Sequence, residues 1–334
     1  MTSTAVKSST EDRLTSVLQR GITAQELCSK DFPPMKWIVP DLLPEGLAII
    51  AGKPKTGKSW LALNLAAAVS IGGSVLGRIK VERGDVLYLA LEDGERRLRT
   101  RIDAIKALPT DRLTFWTACP RGEKGLEDLR IWLQCKPDAR LLIVDTLARI
   151  REDEGEVSYQ RDYDFIARLK SVADGRKVAL VLVHHSRKQD AEDALDLVSG
   201  TTGITGAADS LWILQRTRGQ VDATLTVSGR DFAETELALR YDPGVGWSSR
   251  GDAREIQKTE ERQAIRDHLA ENEGPLRTSQ IAKALGKTES VVSHLLSKMR
   301  VDGIVTSPEY GKWSLTVQSV QSVQSGEVED CTTL

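Results

Sequence analysis

The feature that most constrains the fold of this chain is a glycine-containing loop at residues 52–59. Its sequence is Gly52-Lys53-Pro54-Lys55-Thr56-Gly57-Lys58-Ser59, which fills every fixed position of the phosphate-binding pattern G-x-x-x-x-G-K-[ST]. A short apolar run, 47–51, precedes the loop, and a stretch of good helix formers, 60–70, follows it. A strand, a glycine loop and a helix in this order predict an α/β domain that binds a nucleotide.

The residue types of this loop indicate how it would hold ATP. Glycines let consecutive backbone N–H groups point inward at phosphate oxygens, and the helix that follows adds its positive N-terminal dipole. We predict that Lys58 contacts the β- and γ-phosphates and that Ser59 gives its hydroxyl to Mg²⁺. The residues expected around the nucleotide are Gly52, Lys53, Pro54, Lys55, Thr56, Gly57, Lys58, Ser59 and Trp60.

Two acidic positions at the ends of apolar runs complete the candidate site. Asp145 follows the run 141–144, which is the Walker B pattern of a carboxylate that holds Mg²⁺. Glu92 follows the run 86–91 and is the candidate base that orients the attacking water. Asp93 is its rival. The helix predicted after it, 95–108, carries arginines that we expect to form a solvated face.

A fifth apolar run, 178–183, ends in His184 and His185. Either histidine could sense the γ-phosphate and transmit its state to the polar stretch 189–206, which is long for a loop in a compact domain. Adjacent histidines on a strand diverge, so the pair is a poor metal site.

The composition limits the kinds of binding partner and the cellular compartment that we expect for this protein. The formal net charge is −2, so contacts with nucleic acid must come from local patches. The four cysteines are scattered without a C-x-x-C pair, which fits a reducing cytosol. The first ten residues lack the apolar segment of a signal peptide, and no window approaches a membrane span. We therefore predict a cytoplasmic protein with no membrane partner.

We predict five segments along the chain. They are a disordered or helical N-terminal arm (1–32), an ATPase domain with a largely parallel sheet flanked by helices (33–247), a polar linker (248–257), a small winged helix-turn-helix domain (258–317) and a disordered tail (318–334). The order helix, helix, turn, helix, hairpin is the basis for the winged helix. Its candidate contacts with duplex DNA are Lys287, Thr288, Ser290, Ser293 and His294. Winged helices also bind proteins, so a replication protein is an open alternative.

Four segments resemble the RecA-like ATPases of the RepA type, which are hexameric replicative helicases of plasmids and phages, and more distantly DnaB. The resemblance covers roughly residues 33–241. The matching segments occur in the order of the family, and they are 51–59, 87–93 (Leu-Tyr-Leu-Ala-Leu-Glu-Asp), 144–149 (Val-Asp-Thr-Leu-Ala-Arg) and 182–188 (Leu-Val-His-His-Ser-Arg-Lys).

This resemblance implies roles for individual residues. Glu92 matches the catalytic base and His185 matches the γ-phosphate sensor, while the loop after His185 faces the channel of a ring and touches single-stranded DNA. In that loop Arg187 and Lys188 would contact phosphates, and Thr201 and Thr202 would hydrogen-bond the backbone.

One departure from the family concerns the arginine finger, the residue that a neighbouring subunit supplies to the transition state. Relatives often carry Arg-Gly-Ser-Ser where this chain has Ser199-Gly200-Thr201-Thr202. Arg230 is the best substitute, and Arg216 and Arg218 are weaker candidates.

Two functions are compatible with these features. The first is an ATP-driven ring, with six subunits, that moves along single-stranded DNA. The second is an ATP-switched DNA-binding regulator, helicase loader or recombination ATPase that its winged helix targets. Stimulation of ATP turnover by single-stranded DNA distinguishes the first from the second.

Overall fold

The computed structural model describes residues 21–151, 159–185, 206–216, 222–272 and 274–316. None of the helices in these ranges is both long enough and apolar enough to cross a membrane. The helices are α1 Ala24–Cys28, α2 Lys58–Ile71, α3 Glu95–Ala104, α4 Glu123–Cys135, α5 Tyr159–Asp174, α6 Ala253–Ala270, α7 Thr278–Ala284 and α8 Glu289–Val301.

The strands alternate with helices through the first half of the chain and then follow one another. They are β1 Trp37–Val39, β2 Leu43–Pro44, β3 Gly46–Gly52, β4 Ser74–Val75, β5 Ile79–Lys80, β6 Asp85–Ala90, β7 Leu113–Trp116, β8 Ala139–Asp145, β9 Ala179–His185, β10 Ser210–Gln215, β11 Asp222–Gly229, β12 Thr235–Asp242, β13 Gly246–Asp252, β14 Leu276–Arg277, β15 Val305–Glu309 and β16 Lys312–Leu315.

One large sheet organises the residues before α6. Within the described ranges it has nine strands in the order β13-β12-β11-β10-β3-β9-β8-β6-β7. The six strands from β10 to β7 are parallel to one another, and β11, β12 and β13 continue the sheet in antiparallel pairs. The predicted α/β class with a largely parallel sheet is therefore confirmed.

The central strands are mostly apolar, apart from residues such as Arg140 and Asp145 at the two ends of β8, because helices cover both faces of the sheet. Successive residues of β3 alternate between the two apolar layers: Ile50 packs with α2 on one face, and Ile49 packs with α4 and α5 on the other. All seven residues of β3 and all seven of β8 are buried. This packing fixes the ends of β3 and β8, which carry the phosphate loop and Asp145.

The domain boundary differs from the prediction. The segment expected to be a linker, 248–257, contains most of strand β13 and the start of α6, and β13 pairs with β12 in the large sheet. The strand was missed because its sequence, Gly-Trp-Ser-Ser-Arg-Gly-Asp, is polar and rich in glycine. An edge strand needs few apolar residues, since only part of it is covered.

The residues after β13 form a separate small unit. Helices α6, α7 and α8 surround an apolar core with the three-stranded sheet β14-β16-β15. The buried face of α8 consists of Val292, Leu295, Leu296 and Met299, as its spacing predicts. The hairpin of β15 and β16 follows α8 directly.

Candidate nucleotide-binding and hydrolysis site

The candidate site lies at the edge of the sheet where the parallel strands end. At this edge Gly52 at the end of β3 pairs with His185 of β9, and Ala90 of β6 pairs with Asp145 of β8. Ligands of open α/β sheets bind outside the carboxyl ends of the strands. The topology therefore brings the phosphate loop, the Walker B acid and the segment with Glu92 to one place.

Lys58 directs its ammonium group into the curve of the phosphate loop. Its ammonium donates to the carbonyl oxygens of Gly52 (2.8 Å) and Lys53 (2.9 Å), and its side chain is almost entirely buried. Burial lowers the pKa of Lys58 to about 8, and the nearby Asp145 carboxylate opposes that shift. The Lys58 ammonium thus already points into the loop, and the phosphates of ATP would replace the two carbonyls as its hydrogen-bond acceptors.

This lowered pKa predicts a pH dependence of nucleotide binding. Only the protonated ammonium of Lys58 pairs with phosphate, and above pH 8 the free protein must take up a proton when ATP binds. We expect ATP affinity to fall by up to about tenfold for each pH unit above 8. Titration with ATP between pH 7 and 9.5 measures this. The Lys58→Arg variant, whose guanidinium stays charged, should show no such fall, and an equally flat wild-type profile would contradict the prediction.

The shape of the loop depends on Gly57 and on strand β13. Gly57 has φ 104°, and a Cβ there would lie 2.7 Å from the ring of Trp247. The indole Nε1 of Trp247 donates to the Gly57 carbonyl (3.1 Å), and its backbone N–H donates to Asn64 of α2 (2.9 Å). The last strand of the sheet therefore supports the phosphate loop, which the sequence alone did not indicate.

Ser59 and Asp145 form the candidate magnesium site. The Ser59 hydroxyl is hydrogen-bonded to the Asp145 carboxylate, which also accepts a hydrogen bond of 2.8 Å from the buried hydroxyl of Tyr88. Burial raises the pKa of Asp145, the two hydrogen bonds oppose the rise, and the charges of Asp93 and Glu92 add to it. Oxygen ligands and surplus negative charge suit Mg²⁺, so these residues fit the ion.

Glu92 is held in place by the residue that follows Asp145. The hydroxyl of Thr146 donates to a carboxylate oxygen of Glu92 (3.0 Å), and Thr146 is itself buried. Asp93, the rival base, is engaged differently, since its two carboxylate oxygens accept from Arg97 (3.0 Å) and from Arg101. The geometry favours Glu92 as the group available to a water molecule.

Aromatic rings and arginines lie beside the phosphate loop. Trp60, a predicted nucleotide contact, meets the edge of Tyr241 at 5.8 Å between ring centroids, and Tyr241 meets Trp247 at 5.2 Å. Arg101 lies over Trp60 at 5.5 Å, and Arg216 lies over Trp247 at 5.5 Å. Arg101 was expected on a solvated face, and that prediction is wrong because Asp93 and Trp60 hold it.

Of the predicted γ-phosphate sensor and channel loop, the structure describes only the backbone of His185. The backbone of His185 lies beside Gly52, at the edge where a γ-phosphate sensor is needed. Arg187, Lys188, Thr201 and Thr202 lie outside the described residues.

Arg230 lies at the other edge of the sheet. It follows β11, whose last residue, Gly229, pairs with Ser210, and Ser210 pairs with Ala48 near the start of β3. Its guanidinium donates to the Gly206 carbonyl (2.7 Å) and stays largely exposed. Arg230 therefore lies at the sheet edge opposite the phosphate loop of the same chain.

The candidate DNA contacts of the small unit divide into two groups. Thr288, Ser290, Ser293 and His294 are exposed at or near the start of α8. Lys287 is instead paired with Glu261 of α6, its ammonium 2.8 Å from the carboxylate. This bond lowers the pKa of Glu261. The partner of Lys287 lies 26 residues earlier in the chain, so a contact between Lys287 and DNA would have to compete with this ion pair.

The family of the chain follows from a match over more than half its length. Residues 15–191, which include the phosphate loop, Glu92 and Asp145, match the family described as AAA domain. The chain belongs to the AAA domain family. Residues 257–315 of this AAA protein match a second family, which is described only as a domain of unknown function.

Solved structures agree with the fold of this AAA protein. The ATPase domain of G40P matches with a TM-score of 0.51 and 14% identity, covering 71% of this chain and 97% of that one. A DnaB-like replicative helicase, from a study of its interactions with primase, matches with a TM-score of 0.52 and 13% identity, covering 71% and 70%. At such identities the likeness shows the fold, which is that of RecA-like helicase ATPase domains.

Proposed function

We propose that this protein hydrolyses ATP to move along single-stranded DNA, as a ring helicase of the RepA type that serves a plasmid or phage. The observation that carries the ATPase assignment is the grouping of Lys58, Ser59, Asp145 and Glu92 at one sheet edge, with Thr146 holding Glu92. The AAA domain family and the likeness to helicase ATPase domains support the same conclusion.

The residues divide the work of hydrolysis in the following way. Lys58 leaves the two loop carbonyls and binds the β- and γ-phosphates, and backbone N–H groups of the loop bind the remaining oxygens. Glu92 accepts a proton from the attacking water, and Thr146 keeps its carboxylate in position. Ser59 and Asp145 would hold Mg²⁺, which offsets the negative charge of the triphosphate.

Assembly into a ring, which the resemblance implies has six subunits, would complete the site. Arg230 is exposed at the sheet edge away from its own phosphate loop, which suits a residue that acts on the nucleotide of a neighbour. Such a finger contributes about 10³–10⁵ in rate where it is present. His185 would sense the γ-phosphate, and the loop that follows, with Arg187, Lys188, Thr201 and Thr202, would contact DNA in the channel.

We also propose that the C-terminal unit is a winged helix. Helices α6, α7 and α8 followed by the hairpin of β15 and β16 support this interpretation. Ser290, Ser293 and His294 would face duplex DNA or a replication protein from one side of α8. The same surface supports the second candidate function, a cytoplasmic regulator or helicase loader switched by ATP.

Single-stranded DNA is expected to stimulate ATP turnover strongly, because a motor couples hydrolysis to its track. The measurement is steady-state ATP turnover with and without a single-stranded oligonucleotide, followed by displacement of a labelled strand. Lys58→Ala is the control for contaminating ATPases. If single-stranded DNA does not change ATP turnover but a duplex or a protein partner does, the translocating ring is rejected in favour of the ATP-switched regulator or loader.

A further inference from the structure

A separate cavity lies at the sheet edge opposite the phosphate loop. It has a volume of about 290 Å³, and Lys36, Arg83, Arg112 and Arg140 line it together with Asp138. Strands β6 and β8 begin at this edge, at Asp85 and Ala139, whereas Gly52 ends β3 at the other edge. The cavity is therefore distinct from the candidate ATP site.

The positive charges of the cavity are only partly neutralised. Arg112 lies 3.3 Å from Asp138 and 3.5 Å from Asp85, and Arg140 lies 2.5 Å from Glu82. Lys36 and Arg83 form no ion pair with any described residue. Two of the four cations are thus available to an anion that enters the cavity.

Arg140 is held rigidly and still lacks one partner. The residue is 9% exposed, and its Nη2 donates to the Trp37 carbonyl (3.0 Å). Its buried Nε has no hydrogen-bond partner among the described residues. The guanidinium therefore lines the cavity as a fixed positive charge.

The local sequence makes room for the Arg140 side chain. A Cβ at Gly84 would lie 2.4 Å from Cγ of Arg140, so only glycine at this position lets the arginine stem pass. Burial lowers the pKa of Lys36, and the positive charge of Arg140 adds to the effect, while Glu45 and Glu82 oppose it. The cations are therefore crowded together in a place where an anion would stabilise them.

We propose that this cavity binds a small oligophosphate anion, of the size of pyrophosphate or the phosphate chain of a free nucleotide. Guanidinium groups bind phosphate oxygens in pairs, and three of the four lining cations are arginines. The volume is near the lower end of small-molecule pockets, which is suited to a compact ligand. The proposal does not depend on the function proposed for the ATP site.

The test is calorimetric titration of inorganic pyrophosphate into the full chain carrying Lys58→Ala, which weakens phosphate binding at the P-loop. We expect one bound pyrophosphate per chain. Adding Lys36→Gln and Arg83→Gln should weaken pyrophosphate binding about tenfold or more. The reason is that loss of a hydrogen bond to a charged group raises a dissociation constant by about that factor. Arg78→Gln removes an exposed arginine elsewhere and should have no effect. Absence of binding, or equal binding by the double variant, would overturn the proposal.

A competing oligonucleotide distinguishes the source of the phosphate. We expect a single-stranded oligothymidylate at equal phosphate concentration to leave pyrophosphate bound. Displacement that depends on Lys36 and Arg83 would assign the surface to nucleic acid and overturn the proposal. Should the double variant fail to fold, as its melting curve would show, Arg83→Gln alone provides the same comparison, because this side chain is exposed and carries no ion pair with a described residue.

Discussion

Replacing Glu92 by glutamine is expected to lower ATP turnover by about 10²–10⁴-fold, the usual contribution of a general base. Glutamine keeps the size of the side chain and its hydrogen bond to Thr146 but cannot accept the proton of water. ATP affinity should change little, because the ammonium of Lys58 and the loop N–H groups are untouched. Turnover by a single enzyme cycle and binding of ATP at equilibrium measure the two quantities separately.

Asp93→Asn is the matched control for this substitution, since it makes the same chemical change one residue later. The Asp93 carboxylate is engaged by Arg97 and Arg101, so we expect this variant to keep most of its turnover. Melting curves of both variants check that they fold. Full activity of Glu92→Gln together with loss in Asp93→Asn would transfer the role of base to Asp93.

Replacing Lys58 by alanine is expected to weaken ATP binding and to lower ATP turnover together. A hydrogen bond between charged groups contributes about 1.5–3 kcal/mol, and loss of one alone weakens binding by about 10–150-fold. Turnover should fall further, because Lys58 also meets charge that develops on the γ-phosphate. Equilibrium titration with a fluorescent ATP analogue and steady-state turnover measure the two effects.

The control for this variant is Lys80→Ala, which removes an exposed lysine of strand β5. It should bind and hydrolyse ATP as the wild type does. Lys58→Ala loses its hydrogen bonds to the carbonyls of Gly52, which is buried, and of Lys53, which is exposed, so a melting curve checks that the variant remains folded. Wild-type affinity in Lys58→Ala would mean that the nucleotide binds elsewhere.

The phosphate loop and the Walker B acid could be predicted because each is defined by a short run of consecutive residues. A glycine loop with lysine and serine at fixed positions has few other uses, and an apolar run that ends in Asp145 is a buried strand in almost any context. The position of Glu92 at the same sheet edge could also be predicted, since it lies two residues after the end of β6. These predictions needed no knowledge of distant contacts.

The support of the site could not be predicted, because it comes from far along the chain. Trp247 contacts Gly57 across 190 residues, and the polar strand that carries it resembles a linker when considered alone. Arg101 and Lys287 have the appearance of surface charges, yet Asp93 and Glu261 engage them. The local sequence shows which residues are charged, but only the fold shows which of them form ion pairs with one another.

The most direct measurement is a structure of the Glu92→Gln protein with ATP and Mg²⁺. We predict that the Lys58 ammonium leaves the carbonyls of Gly52 and Lys53 and lies within hydrogen-bonding distance of the β- and γ-phosphates. We also expect the metal beside Ser59 and Asp145, with the side chain at position 92 facing the γ-phosphate. Bound ATP with Lys58 still hydrogen-bonded to its two carbonyls, or with the side chain at position 92 turned away, would contradict the proposed roles of these residues.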